Sequence, residues 1–147
     1  MNPTAETGAV PFTEVVIPSD TSEARRIQDD IEALVKGGGR ASDGELFSVR
    51  LALEEALVNA IKHGNQMDRA KKVSVGYRLV ADRLEVRIAD EGGGFDPADV
   101  PDPTAIENLD RPCGRGLMLM RHYMSEVAYS ERGNEVALAK VFRGAKR

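Results

Sequence analysis

Glu55 and Asn59 stand four residues apart in "LALEEALVNAIKHGN" (51–65). At about 3.6 residues per turn they fall one above the other on a helix, with Lys62 and His63 close to the same line. Asparagine has no propensity reason to sit inside a helix, because its side chain competes for backbone hydrogen bonds and favours caps and turns. A neutral amide oxygen in that place can complete a Mg²⁺ shell otherwise filled by phosphates and water. A carboxylate one turn away can take a proton from an attacking hydroxyl. Glu54 points to the side of the helix and is the weaker choice for that work. The plainer reading is a solvated polar face, the usual outcome for a charged stripe.

Further along, Asp90 ends an alternating strand and Gly92, Gly93 and Gly94 follow it in "ADEGGGFDP" (89–97). One or two glycines would make a turn. Three let a backbone lie flat against a planar or anionic ligand with no Cβ atoms between. A buried carboxylate at Asp90 can accept a hydrogen bond from an exocyclic amine such as that of adenine. A third segment, "CGRGLMLM" (113–120), puts Gly114 and Gly116 where a helix opens. Free N–H groups and the helix dipole there can face phosphates, and Arg115 between them adds charge. The alternative is glycine for close packing, with Leu117, Met118 and Met120 as core. Phosphate motifs of other architectures are missing: there is no G-x-x-x-x-G-K-[ST] and no G-x-G-x-x-G opening the first helix after a strand. "RHYM" (121–124) is not an H-R-D catalytic loop.

The elements that must hold these residues can be read from periodicity. "FTEVVIP" (12–18) predicts a strand. Asp20 with Glu23 fits a cap for a first helix whose stripe is Ala24, Ile27, Ile31 and Leu34, stopping at Gly37 of the earlier triple glycine. Ser42 and Glu45 form a capping box for a second helix over roughly 43–63, with Leu46, Leu53, Leu57, Ala60 and Ile61 on its apolar side. Residues 71–90 read as two antiparallel strands turning near Ala81-Asp82. Residues 91–113 lack periodicity and hold four prolines, a length of loop that is usually functional or disordered. A helix from near Gly114 follows, then a hairpin turning around Gly133-Asn134. The order β-α-α-β-β-loop-α-β-β argues for an α+β two-layer sandwich, a mostly antiparallel sheet covered by helices on one face.

At 147 residues and net charge −4, the chain reads as one domain with a real core and no overall basic footprint for nucleic acid. We expect a frayed tail over residues 1–11 and the domain over 12–147. The single cysteine, Cys113, excludes an intramolecular disulfide and suits a reducing compartment. His63 and His122 form no metal-ligand pattern with it. No apolar run approaches the roughly 20 residues of a membrane span, and the N-terminus lacks the marks of a signal peptide, so a cytoplasmic location is expected.

E-x-x-x-N on a helix, D-x-G-x-G-F after a strand and G-x-G opening a later helix are together far more specific than any one of them. In this order and spacing they resemble the N-box and two glycine boxes of the GHKL (histidine-kinase-like) ATP-binding superfamily. Within it, "EEALVNAIKHGN" with "DEGGGFDP" in one compact chain is similar to the anti-sigma-factor serine/threonine kinases, over roughly residues 12–143. The resemblance implies a Bergerat-type α/β sandwich that takes ATP and Mg²⁺. It implies Glu55 as the base that deprotonates a substrate serine and Asn59 as the Mg²⁺ ligand. Asp90 would read the adenine amine, Gly92 and Gly94 would shape the pocket floor, and His63 would stand in the same nucleotide site. Residues 96–113 would be a lid, and Gly114, Arg115 and Gly116 the phosphate-facing turn; Arg111 and Arg115 both lie where a phosphate-sensing arginine would sit. Many relatives carry a threonine on a late strand near the adenine, where "EVALAKV" (135–141) offers alanines.

The implied partners are a sigma factor, a small anti-sigma-factor antagonist bearing the phosphoacceptor serine, and a second copy of the chain in a homodimer, with no direct nucleic acid and no membrane. Arg25 and Arg26 are candidates for the sigma-binding surface or a solvated helix face. The alternative function is a non-catalytic ATP-dependent partner-switching protein. A stand-alone ATPase and a histidine kinase fit less well, since neither large extra domains nor a phospho-accepting dimerisation helix accompany the motifs.

Overall fold

The computed structural model describes residues 10–92 and 112–144, with 112–117 described by their backbone alone. In chain order the elements are β1 (Thr13–Pro18), α1 (Thr21–Gly38), α2 (Asp43–Val58) continued by a π-helical turn (Asn59–Gly64), β2 (Lys72–Val80), β3 (Arg83–Ala89), α3 (Pro112–Tyr123), β4 (Glu126–Tyr129) and β5 (Glu135–Val141). The strands pair antiparallel in one five-stranded sheet ordered β1-β2-β3-β5-β4. The result is the α+β sandwich that the order of elements predicts.

Alternation decides which face of the sheet is covered. Val73 and Val75 on β2, Leu84, Val86 and Ile88 on β3, and Val136 and Leu138 on β5 are buried against the helices. The helices answer with Ile27, Ile31 and Val35 from α1, and Val49, Leu53, Ala56 and Leu57 from α2. Met120 of α3 is fully buried, as a core role for the methionines requires, while Met118 is only half-buried. The opposite face carries ion pairs instead, Arg78–Glu85 (2.6 Å), Arg83–Glu85 (2.8 Å) and Arg83–Glu126 (3.0 Å). Phe12 lies beneath the guanidinium groups of Arg78 and Arg87.

Two boundaries differ from the sequence expectation. α1 does not stop at Gly37 but runs through Gly38, and Gly39 takes the left-handed conformation (φ 74°) with its N–H on the Lys36 carbonyl. Gly38 remains helical, close to the tip of the Leu79 side chain, and the left-handed reversal falls two residues after Gly37. The α1 stripe also turns to Val35, leaving Leu34 38% exposed, because after Ile31 the sheet lies on the i+4 side. Asp20 caps α1 through Ser22 N–H (2.8 Å), whereas Glu23 pairs with Arg26 rather than closing a box. At α2 the capping box forms as expected, Glu45 N–H to Ser42 Oγ (3.1 Å) and Ser42 N–H to Glu45 Oε1 (3.0 Å).

The β2–β3 turn falls at Ala81-Asp82, with Ala81 at φ 55°, and the β4–β5 turn includes Gly133 at φ 75°. α3 begins at Pro112 rather than at Gly114; proline suits the first helical position, where no N–H is required. Residues 1–9 of the expected tail and 96–111 of the expected lid lie outside the described residues. Val10 is tied to the sheet, its carbonyl accepting from Arg78 (2.9 Å). Among the described residues no helix is long and apolar enough to cross a membrane.

Candidate functional site

The last turn of α2 is where the polar stripe meets the sheet. Asn59 ends the α-helical hydrogen-bonding pattern, its N–H shared between the Ala56 and Glu55 carbonyls. From there the chain widens into the π turn, closed by Asn65 N–H on the Ala60 carbonyl (2.8 Å). Such single π turns inside α-helices collect at functional sites. Gln66 and Met67 follow at φ 53° and 61°, and Met67 N–H returns to the Ile61 carbonyl (2.8 Å). Two consecutive non-glycine residues in the left-handed region are strained, and strain of this kind persists only where the surroundings enforce it.

The π turn just before them packs closely on the end of β3. Gly64 lies directly over the Asp90 carboxylate, and a Cβ on Gly64 would overlap it. A Cβ on Gly92 would in turn overlap the Gly64 carbonyl. Both glycines are therefore set by close approach of two backbones to one carboxylate. Asp90 Oδ1 accepts the Gly92 N–H (2.8 Å), and the Asp90 N–H reaches the Asn134 carbonyl in the β4–β5 turn (2.9 Å). Burial pushes the Asp90 carboxyl up, against the Gly92 N–H and the Lys71 charge, which pull it down.

Around this junction is a cavity of about 190 Å³. One wall is Ala56, Asn59, Ala60 and His63; the opposite wall is Ile88 and Asp90, closed by Tyr129, the turn residue Asn134, and Glu135 and Val136 of β5. Asn59, His63 and Asp90, which the sequence expectation assigned to one site, thus line one cavity, and Gly92 braces it. Glu55 is half-buried one turn back on α2 and does not line it. Lys62 leaves the stripe: it joins Glu54, Arg25 and Arg50 around a second recess between α1 and α2. Gly114 and Gly116 lie in the first turns of α3, which packs along α2 and the π turn. The Arg115 side chain, Gly94 and Arg111 lie outside the described positions.

Sequence reasoning passed over Gly64, Asn65, Tyr129, Asn134 and Glu135. For the first two a signal existed: "GN" directly after an apolar helical run marks a helix end with special backbone geometry. The other three carry no local signal, because they reach the cavity only through the β3–β5 pairing.

The cavity has the chemistry to accept a planar group that carries an amine. It joins an apolar wall to a carboxylate whose Oδ2 has no hydrogen-bond partner among the described residues, and two glycines keep it free of side chains. Asn59 offers one neutral oxygen toward a metal; among the described residues no three His, Cys, Asp or Glu side chains gather as a metal cluster. That donor set suits an ion such as Mg²⁺ that takes most of its ligands from phosphate and water.

The sequence pattern of the histidine kinase-like ATPase domain matches residues 17–140, from β1 to β5. The serine-protein kinase RsbW of Bacillus subtilis is 30% identical over 142 residues, 92% of this chain and 88% of the relative. RsbW of Bacillus velezensis is 29% identical over 145 residues, 94% and 90% of the two chains. The serine/threonine-protein kinase BtrW of Bordetella bronchiseptica is 32% identical over 88 residues, 58% and 62%. With the antiparallel sandwich, these matches show that the chain belongs to the histidine kinase-like ATPase family, in the GHKL grouping that its motifs resemble.

Proposed function

We propose that this protein is a cytoplasmic, dimeric anti-sigma factor and protein-serine kinase, which uses ATP to phosphorylate a small antagonist protein and sequesters a sigma factor. The observation that carries this reading is the meeting of Asn59, His63 and Asp90 around one cavity at the end of the helix that bears Glu55. Kinase names among relatives that match nine-tenths of the chain support the reaction class. In this reading Asp90 accepts a hydrogen bond from the adenine amine through its free oxygen. His63 lies along the wall, and Gly92 and Gly94 keep the floor open. Gly114, in the first turn of the helix that begins at Pro112, presents its N–H to the phosphates; Gly116 lies one turn in, where its N–H belongs to the helix and its missing side chain leaves room, and Arg115 or Arg111 adds charge there. Asn59 would hold Mg²⁺, which would supply compensating charge for the phosphates.

Glu55 takes the proton from the substrate serine. The serine oxygen forms its bond to the γ-phosphorus, the bond from that phosphorus to the β–γ bridging oxygen breaks, and ADP leaves. The second reading, a partner switch without phosphotransfer, is favoured by the position of Glu55 outside the cavity wall. Labelled γ-phosphate separates the two. With Mg²⁺ and candidate antagonists, the kinase transfers label to an antagonist serine, and Glu55→Gln keeps nucleotide affinity while transfer falls by about 100-fold or more. Tight nucleotide binding with no transfer to any antagonist supports the switch. Transfer at the normal rate by Glu55→Gln refutes the assigned base.

A further inference from the structure

Asn65 is fully buried, and every polar atom of its side chain is engaged. Its Nδ2 donates to Ser19 Oγ (2.9 Å) and to the Lys72 carbonyl (3.0 Å), and its Oδ1 accepts the Glu91 N–H (2.8 Å). Ser19 is buried too and donates its own hydrogen bond to the Lys71 carbonyl (2.8 Å). The Glu91 carboxylate closes the same junction from the other side, accepting the Lys72 N–H (2.7 Å). One side chain therefore joins the π turn, the corner between β1 and α1, the start of β2 and the peptide between Asp90 and Gly92.

A buried amide contributes to a single geometry only when all of its partners are present, and here they are. An apolar residue would fill the volume but would leave Glu91 N–H unpaired beside the Asp90 carboxylate. We propose that Asn65 is a positioning residue for base recognition: through the Glu91 N–H it fixes where the Asp90 carboxylate faces the cavity. The inference rests on the reading of Asp90 as the acceptor for the base's amine. Asn65 touches no substrate; it acts by referencing the Asp90–Gly92 backbone to the sheet and to the turn that carries Asn59 and His63.

The test compares ATP with purine riboside triphosphate, which lacks the 6-amino group, by displacement of a fluorescent nucleotide from the full chain. The wild type prefers ATP by about tenfold, the worth of one hydrogen bond to a charged acceptor. Asn65→Ala and Asn65→Leu, which both remove the acceptor for the Glu91 N–H, bring that preference to within about twofold while binding the amine-free nucleotide nearly as the wild type does. Ser19→Ala, which removes one support and leaves the other two, gives an intermediate preference. A role in stability alone would lower the melting temperature and weaken both nucleotides equally, leaving the ratio intact. A wild-type ratio in folded Asn65 variants overturns the inference, and so does a wild-type ratio in Ser19→Ala if the Asn65 variants do not fold. Should the wild type itself bind both nucleotides equally, the reading of Asp90 fails and takes the inference with it. That outcome is distinct from a discriminating wild type whose variants discriminate as well.

Discussion

At the start of α2 a half-buried carboxylate gathers backbone N–H groups, while at the far end of the same helix a half-buried carboxylate lies beneath glycines. Glu45 accepts from Ser42, Arg143 (2.9 Å) and Gly144 (3.1 Å), joining the helix cap to the residues after β5. Among the described residues Asp90 accepts only the Gly92 N–H, and its side chain is part of the cavity lining. Burial raises both carboxyls; at Glu45 the donated N–H groups outweigh it and hold the group below its ordinary range, whereas at Asp90 burial prevails. The first end is satisfied and stabilises the fold. The second leaves Asp90 Oδ2 without a partner among the described residues and has strained backbone beside it, an arrangement that suits the proposed recognition role more than stability.

Glycine-to-alanine substitution separates the ends most sharply. At Gly64 the new Cβ overlaps the Asp90 carboxylate, and the neighbours that must yield are held by backbone. Gly64→Ala is expected to lower stability by about 1–3 kcal/mol, as overpacking does, and to weaken ATP binding by about 100-fold. At Gly44, in the first turn of α2, the nearest contact is Ser42 Oγ at 4.0 Å. Gly44→Ala is expected to stabilise by about 0.5–1 kcal/mol through reduced freedom of the unfolded chain, with ATP affinity unchanged. Thermal melts and nucleotide titrations read both. Equal changes at the two positions would erase the distinction.

Removing the cap oxygen is a milder break at the stable end. Ser42→Ala loses the bond to the Glu45 N–H and is expected to cost about 1 kcal/mol, again with nucleotide affinity intact. A fall in ATP affinity beyond the loss of folded protein would mean that the cap end also shapes the cavity.

These ends also differ in how far the sequence reveals them. The box at Ser42 and Glu45 is written in four consecutive residues, because a helix cap is made by the segment it caps. The same holds for the hairpin at Ala81-Asp82 and for the pairing of Asn59 with His63 on one helical line. Gly64, Asn65 and Gly92 obey contacts made across the fold, so their local pattern says only that a helix ends. Tyr129 and Glu135 join the cavity through strand order β3-β5-β4, which no local period encodes. Lys62 departs from the expected line because the π turn changes the angular step just where the stripe was extrapolated at 3.6 residues per turn.

The two carboxylates should also titrate with opposite consequences for stability. Glu45 is held below its unfolded value near 4.3, so its contribution is present above that pH and is lost as pH falls through the folded value. Asp90 is raised above its unfolded value near 3.9, so its contribution is present below that pH and is lost as pH rises through the folded value. In nucleotide-free protein, Glu45→Gln should therefore lower the melting temperature at pH 7, with the deficit shrinking toward acid. Asp90→Asn keeps an oxygen for the Gly92 N–H and removes a charge from a partly buried place, so it should raise the melting temperature slightly at pH 7, with the gain shrinking toward acid. The same variant should bind ATP more weakly, since an amide nitrogen can then face the adenine amine. Melting curves from about pH 7 to about pH 3.5 give both differences, and their signs are the test. If both variants destabilise at pH 7, Asp90 is a structural carboxylate like Glu45. Opposite signs, joined to lost affinity in Asp90→Asn alone, mean that the far end of α2 gives up stability to keep an acceptor free for the ligand.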